Sequence, residues 1–571
     1  MDHGFGGKLK PEDGYQLWLR YAPDSHAPTL PEYRTALTQV LVEASSPTLR
    51  AAREELILAL ESLLGTRIPL TDQVVRDGTL VAGTPRSSRV ITEFNLREAL
   101  SQVGDEGFVI TRARFHDKDC IAIGANTDIG VLYGVFRFLR HLQTHRPLGD
   151  LRVISAPKIK YRVLNHWDNL DGTIERGYAG FSLWDWHKLP GYISPRYRDY
   201  ARANASVGIN GAVLTNVNAS ALILTRQYLI KVAALADVFR PYGIRVFLTA
   251  RFSAPKEIGG LKTADSLEPD VIAWWKAKAD EIYELIPDFG GFVVKADSEG
   301  QPGPHDYGRS HADGANLLAD ALAPKGGMVC WRAFVYDNKN PEDRAKQAYN
   351  ELVPLDGTFR DNVCLQVKNG PIDFQPREPH HTLLGAMPQT PLMLEVQITQ
   401  EFLGFATHLV YLAPLFKETL DADTYCNGPG SLVANVVDGS LDGHAVSGMA
   451  GISNIGSERN WCGHPFAAAN WFAFGRLAWD HRATPEDIAE DWLRMTFTNE
   501  EQFVERAKAM MLELNCCTRT RRKSWAIRWH AARPWSVEWM TRICAFCGTR
   551  RISCRLVRRA SPTGGGRCWA I

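Results

Sequence analysis

From Tyr161 onward the sequence repeats one unit, in which a short apolar run ends in polar or charged residues and a segment with helically spaced apolar residues follows. The runs fall at 161–168, 211–218, 245–251, 291–299, 328–334, 362–369, 392–401 and 408–412, with helical segments at 222–239, 269–286 and 313–322 between several of them. Parallel strands need crossovers of a dozen residues or more, so eight such units in roughly 250 to 300 residues match a closed (β/α)8 barrel. An open doubly wound sheet also alternates, but it usually carries a glycine-rich phosphate turn after its first strand. Here the first run ends in His166-Trp167-Asp168-Asn169 instead. The pattern predicts an α/β protein with a TIM barrel over 159–484.

Barrel enzymes build their sites from the carboxyl ends of the strands. On the predicted strands that end carries Trp167, Asp168, Asn216, Asn218, Arg251, Lys295, Asp297, Glu299, Arg332, Lys368, Asn369 and Glu401, with Asp373 just beyond. The densest stretch follows the apolar run at 292–294, where Lys295, Asp297 and Glu299 precede Gly300-Gln301-Pro302-Gly303-Pro304. Taken on its own, this stretch reads better as a solvated loop after an ordinary strand. Carboxylates, cations and an aromatic plate gathered on one rim argue for an active site.

Glycoside cleavage needs a proton donor for the leaving oxygen and an opposed carboxylate, acting as nucleophile or as base to a water. Glu299, Asp373 and Glu401 are the candidates, and structural ion pairing with Arg332, Lys368 or Arg377 is the competing role for each. Lys295, Arg332 and Lys368 together suit an anionic sugar, because Arg presents a planar fork to a carboxylate and Lys a point charge. Trp167 suits stacking on a sugar face, with core packing as its alternative.

At 571 residues the chain is too long for one core. Residues 1–158 read as an α+β accessory domain, with helices at 50–64 and 130–142 and strands at 107–111 and 120–124. No leader with a basic start, an apolar run and a cleavage site is legible, nor an apolar run of about 18 residues, so a cytoplasmic protein without a membrane partner is expected. Cys120, Cys330, Cys364, Cys426 and Cys462 are scattered singly, as in a reducing compartment. His380-His381 lacks further ligands at zinc spacing and reads as loop, and no Walker loop, nucleophile elbow or dinucleotide fingerprint occurs. No metal and no cofactor is expected.

Residues 485–571 read as a curtailed helical region, with segments at 485–496 and 500–514. Residues 516–571 hold thirteen Lys and Arg against Glu538 alone, so the overall charge of +1 hides a remainder near −11. Cys544, Cys547, Cys554 and Cys568 miss zinc-ribbon spacing in their second pair. Arg interleaved with Trp also suits a nucleic-acid or membrane arm. The lack of periodicity favours an out-of-frame or otherwise aberrant ending with no nucleic-acid partner, a composition that does not support a packed fold.

The chain resembles the family-67 glycoside hydrolases, the α-glucuronidases of xylan breakdown, from Glu12-Asp13-Gly14-Tyr15-Gln16-Leu17-Trp18 to about residue 514. The resemblance rests on Asn165-His166-Trp167-Asp168-Asn169, Lys295-Ala296-Asp297-Ser298-Glu299-Gly300-Gln301-Pro302-Gly303-Pro304, Val367-Lys368-Asn369-Gly370-Pro371-Ile372-Asp373 and Glu395-Val396-Gln397-Ile398-Thr399-Gln400-Glu401, in that order. It implies hydrolysis, with inversion, of the α-1,2 link between (4-O-methyl)glucuronic acid and the non-reducing terminal xylose of xylo-oligosaccharides. Carried over by position, Glu299 is the general acid, and Asp373 and Glu401 activate the water. Lys295, Arg332 and Lys368 bind the uronate and its hydroxyls, and Trp167 stacks on the sugar. Glu401 is preferred to Glu395 because it lies at the strand end. The family's homodimer contacts belong to a carboxyl-terminal domain that this tail does not resemble. The rival expectation is an inactive uronate-binding protein that keeps the cations and Trp167 but not a closed site.

Overall fold

A computed structural model describes residues 12–218, 220–336, 343–376 and 378–519; Arg377 and the basic tail from residue 520 lie outside the described residues. The amino-terminal domain is a five-stranded mixed sheet of β1 (Gln39–Leu41), β2 (Thr79–Gly83), β3 (Phe108–Phe115), β4 (Lys118–Ala125) and β5 (Arg152–Ser155), in the order β1-β2-β4-β3-β5. Alternate residues divide its faces. Leu80, Ala82, Ile110, Ile121 and Ile123 meet the helices Pro47–Leu64 and Asp128–Gln143, while Leu41, Val81, Val109 and Ala122 pack on a smaller second core. Both helices are stopped as the sequence suggests. Gly65 closes the first in the left-handed region at φ 63°, and the Thr127 hydroxyl caps the second by accepting from the Gly130 N–H.

The barrel strands are β6 (Tyr161–Asn165), β7 (Gly211–Val213), β8 (Arg245–Thr249), β9 (Gly291–Val294), β10 (Met328–Arg332), β11 (Val363–Lys368), β12 (Leu392–Gln397) and β13 (Gly448–Ile452). All pair in parallel, and β9 meets β10 to complete the ring. Val163, Val213, Phe247, Val293, Cys330, Cys364 and Met393 fill the interior, while their neighbours Leu164, Ala212, Leu248, Val294, Trp331, Leu365 and Leu394 face the helices. Both faces are apolar, which is why these strands read as continuous runs. The crossover helices Arg226–Phe239, Pro269–Leu285 and His311–Leu322 lie where the sequence places them.

The eighth strand does not. The expected run at 408–412 belongs to no sheet; its backbone is bonded instead to the side chain of Asn470, which accepts from the Leu412 N–H at 2.8 Å and donates to the Val410 carbonyl at 2.9 Å. It feeds the helix Ala413–Asp421, which supplies the crossover that a strand so soon after β12 would have lacked. The barrel closes with β13, whose Gly448-Met449-Ala450-Gly451-Ile452 has little strand character by composition. Glycine is required there by packing: a Cβ on Gly451 would lie 2.6 Å from Ile398 and 2.8 Å from Phe474.

After β13 the helix Ala468–Trp479 completes the outer ring, and Pro485–Thr496 and Glu501–Arg519 follow. One buried carboxylate ties the three regions together. Asp491 pairs with Arg146 of the amino-terminal domain and Arg476 of the last barrel helix, both at 2.7 Å, and lies 3.8 Å from Arg140. Burial pushes its carboxyl up, but Arg476, Arg140 and Arg146 outweigh that and hold it at about 2. Removing the carboxylate strands the largely buried guanidinium groups of Arg140 and Arg476, so Asp491→Ala is expected to lower the unfolding free energy by about 3–5 kcal/mol in urea titration. Because the folded value is depressed, Asp491 stabilises the chain above its unfolded value near 4. About 2 kcal/mol of that is lost as pH falls toward 2, a loss the variant should not share.

Candidate active site

The carboxyl ends of β9, β10 and β11 converge on one phenyl ring. Lys295 Nζ lies 5.6 Å, the Arg332 guanidinium 5.6 Å and Lys368 Nζ 3.0 Å from the centroid of Phe334, so the three cations selected from the sequence form a single cluster. All three are almost wholly buried. Phe334 closes the fifth apolar run, where an aromatic reads simply as strand, and nothing in its spacing marks it as the centre of a charge cluster.

Each cation is neutralised by a carboxylate. Lys295 donates to Glu299 Oε2 at 2.5 Å and to Asn218 Oδ1 at 2.9 Å. Burial and then Arg332 push its ammonium down, and Glu299 pulls it back. Lys368 pairs with Asp373 yet is pushed down to about 7, because burial and the neighbouring Arg332 outweigh its carboxylate partners. Arg332 forms a bidentate pair with Glu395, Nε to Oε1 at 3.1 Å and Nη2 to Oε2 at 2.9 Å, and Gln366 Nε2 adds a bond to Oε1 at 2.7 Å. Glu395 is therefore committed to a buried structural pair. Glu401 is held by Arg176 and by Gln397 Nε2 at 2.8 Å, and it borders an open cleft lined by Ile174, Tyr178, Phe402 and Phe405.

The carboxylates stand on unusual backbone. Asp297 and Glu299 have φ of 51°, Asp373 of 23° and Phe374 of 59°. Left-handed conformations at such residues cost of order 1–3 kcal/mol each and survive only where surroundings impose them. For Glu299 the surroundings are the loop after β10: the Glu299 N–H donates to the Tyr336 carbonyl at 3.1 Å, and the Tyr336 N–H donates to Ser298 Oγ at 3.2 Å. Nothing in an alternation pattern signals such backbone.

Several residues escaped the sequence reading. Glu175 accepts from the amides of Asn216 at 2.9 Å and Asn218 at 3.1 Å, which aims the Asn218 oxygen at Lys295. Glu175 and Arg176 lie in the loop after β6, outside every strand end. Trp167 is only 6% exposed and lies over the barrel interior with Phe374, its ring 5.9 Å from the Arg332 guanidinium. It plugs the barrel and offers little face to a ligand. Arg251 is spent on Glu257 and on Gln301 of the loop after Glu299. His380 and His381 lie in loop; burial pushes the His381 imidazole down to about 4, and its Nδ1 accepts from the Leu383 N–H.

Models of three family segments match this chain: the glycosyl hydrolase family 67 N-terminus over residues 17–138, its middle domain over 141–461 and its C-terminus over 462–542. The last extends past residue 514, where the sequence reading ends the likeness. Alpha-glucuronidase A of Emericella nidulans is 40% identical over 518 residues, covering 88% of this chain and 60% of that protein. The alpha-glucuronidase of Hypocrea jecorina is 38% identical over 524 residues, again covering 88% and 60%. The chain thus spans about 60% of the length of these curated relatives. Among solved structures, a GH115 4-O-methyl-alpha-glucuronidase with specificity for decorated arabinogalactans is similar at TM-score 0.51 and 13% identity, covering 89% of this chain and 67% of that one. A GH138 enzyme targeting pectin rhamnogalacturonan II is similar at TM-score 0.51 and 14% identity, covering 84% and 55%. These structures share the fold. With its middle-domain match spanning more than half of the sequence, the chain belongs to glycosyl hydrolase family 67.

Proposed function

We propose that this chain is an α-glucuronidase that hydrolyses, with inversion, the α-1,2 link between (4-O-methyl)glucuronic acid and the non-reducing terminal xylose of short xylo-oligosaccharides. The observation that carries the reading is the cluster of Lys295, Arg332 and Lys368 about Phe334, with Glu299 and Asp373 paired to its two lysines. A uronate carboxylate that reaches the lysines exchanges one anion for another, so the cluster stays neutral. A neutral sugar has nothing to offer in exchange. Glu299, deprived of Lys295 and set beside a second anion, takes up the proton that a general acid must carry. Arg332, anchored to Glu395 through Nε and Nη2, keeps its remaining nitrogen for the substrate. Asp373 and Glu401, after β11 and β12, activate the attacking water, and one of them takes its proton. Cys120, Cys330, Cys364, Cys426 and Cys462 are unpaired, which supports a reducing, cytoplasmic setting.

Incubation with 4-O-methylglucuronoxylo-oligosaccharides is expected to release the uronic acid first as its β-anomer by proton NMR. Tight binding without release would contradict the enzyme reading. Glu299→Ala is expected to lower turnover of this substrate by about 10³-fold while costing far less on an aryl glucuronide with a good leaving group, and Asp373→Ala should fail on both. Equal losses for Glu299→Ala on the two substrates would remove it from the acid role.

The pH profile follows from Lys368. Its ammonium, at about 7, is charged below that pH and neutral above it, so attraction for the uronate weakens on the alkaline side. The value of kcat/KM should fall by about tenfold per pH unit above 7, mostly through KM. A profile flat to pH 9 would show that Lys368 does not hold the substrate anion.

A further inference from the structure

Behind the loop that carries Glu299 lies a cluster for which the proposed chemistry has no use. The Asp297 side chain is 5% exposed and, among the described residues, has no Lys or Arg within salt-bridge reach. It faces two imidazoles: its Oδ2 lies 3.8 Å from His305 Nδ1 and 3.8 Å from His311 Nδ1, and all three ligand atoms lie within 4.8 Å of one another. The approach is tight by construction. A Cβ on Gly303 would lie 2.3 Å from either carboxylate oxygen, and the His305 N–H donates to Oδ2 at 3.3 Å.

The hydrogen-bond network sets the His311 tautomer. Its Nε2 faces Glu351 Oε2 at 3.3 Å and takes the proton, while its Nδ1 accepts a long bond from the Trp331 indole N–H at 3.3 Å. His311 Nδ1 and Asp297 Oδ2 are then two acceptors that face one another at 3.8 Å with no proton between them. Acceptors so arranged suit a cation. An imidazole whose far N–H is held by a carboxylate is also the usual support for a metal-ligating histidine. Tetrahedral zinc with bonds of about 2.0–2.2 Å places its ligand atoms about 3.4 Å apart, so the two 3.8 Å separations from Asp297 need shifts of a few tenths of an ångström, while the two imidazole nitrogens, within 4.8 Å of each other, draw together and the indole contact gives way. His305 is on the solvent side of the three.

We infer that Asp297, His305 and His311 bind one divalent transition-metal ion of the zinc class, which fastens the loop bearing Glu299 to the start of the helix His311–Leu322. The ion takes no part in bond cleavage. It acts by pinning residues 297–305 at both ends around the proton donor.

The test uses the whole chain stripped with EDTA and titrated with Zn²⁺ against a chromophoric chelator, then with Co²⁺ for its visible spectrum. Uptake is expected at one site with nitrogen and oxygen ligands. His305→Ala, at an exposed position, and Asp297→Asn should each weaken it by tenfold or more, and Glu351→Gln by about tenfold through the His311 tautomer. No measurable uptake, uptake unchanged in His305→Ala, or cobalt absorption wholly of thiolate type from the tail cysteines would each overturn the site. Binding is read without turnover, so failure of the hydrolase reading and failure of this one are distinguishable.

Discussion

Three buried cations around one phenyl ring repel one another, and the mouth of the barrel is organised to answer that repulsion. Glu299, Asp373 and Glu395 each neutralise one of them, at Lys295, Lys368 and Arg332 respectively. The pairs differ in kind. Arg332 and Glu395 are both almost fully enclosed and bidentate, so separating them would leave an uncompensated buried charge. Glu299 and Asp373 retain 48% and 31% side-chain exposure over lysines that are 3% exposed, so they can be displaced toward water at modest cost. The site therefore has one fixed pair and two exchangeable ones, and under the proposed function an acidic sugar exchanges its carboxylate with one of the two without leaving charge unpaired.

The barrel was legible in the sequence because parallel strands covered on both faces are apolar throughout, and seven of the eight predicted runs became barrel strands. The eighth misled for the same reason that the others succeeded. The run at 408–412 is apolar because it is buried, but its backbone is satisfied by Asn470, a partner that no local pattern reveals. The true closing strand is rich in small residues because Phe474 and Ile398 crowd it, which erased its signal.

For the site, residue types at strand ends were legible and their pairing was not. Lys295, Arg332 and Lys368 were selected as a set and lie together, yet Phe334, which gathers them, read as strand. Glu175 and Arg176 come from a loop after β6 with no periodicity, and only the tertiary fold brings them beside Asn218 and Glu401. Trp167, an aromatic at a strand end, suits either stacking or packing by sequence; its burial over the interior favours packing. The left-handed backbone at Glu299 goes with a contact between loops, that of its N–H with the Tyr336 carbonyl, which is long in sequence.

The central claim is that an arriving uronate takes Lys295 from Glu299 and thereby protonates the acid. Calorimetry of glucuronate binding at pH 6, where Lys368 already carries its charge, run in buffers of differing ionisation enthalpy, tests this directly. The account predicts uptake of about one proton by the native chain and none by Glu299→Gln. Binding enthalpies independent of buffer in the native chain would contradict it.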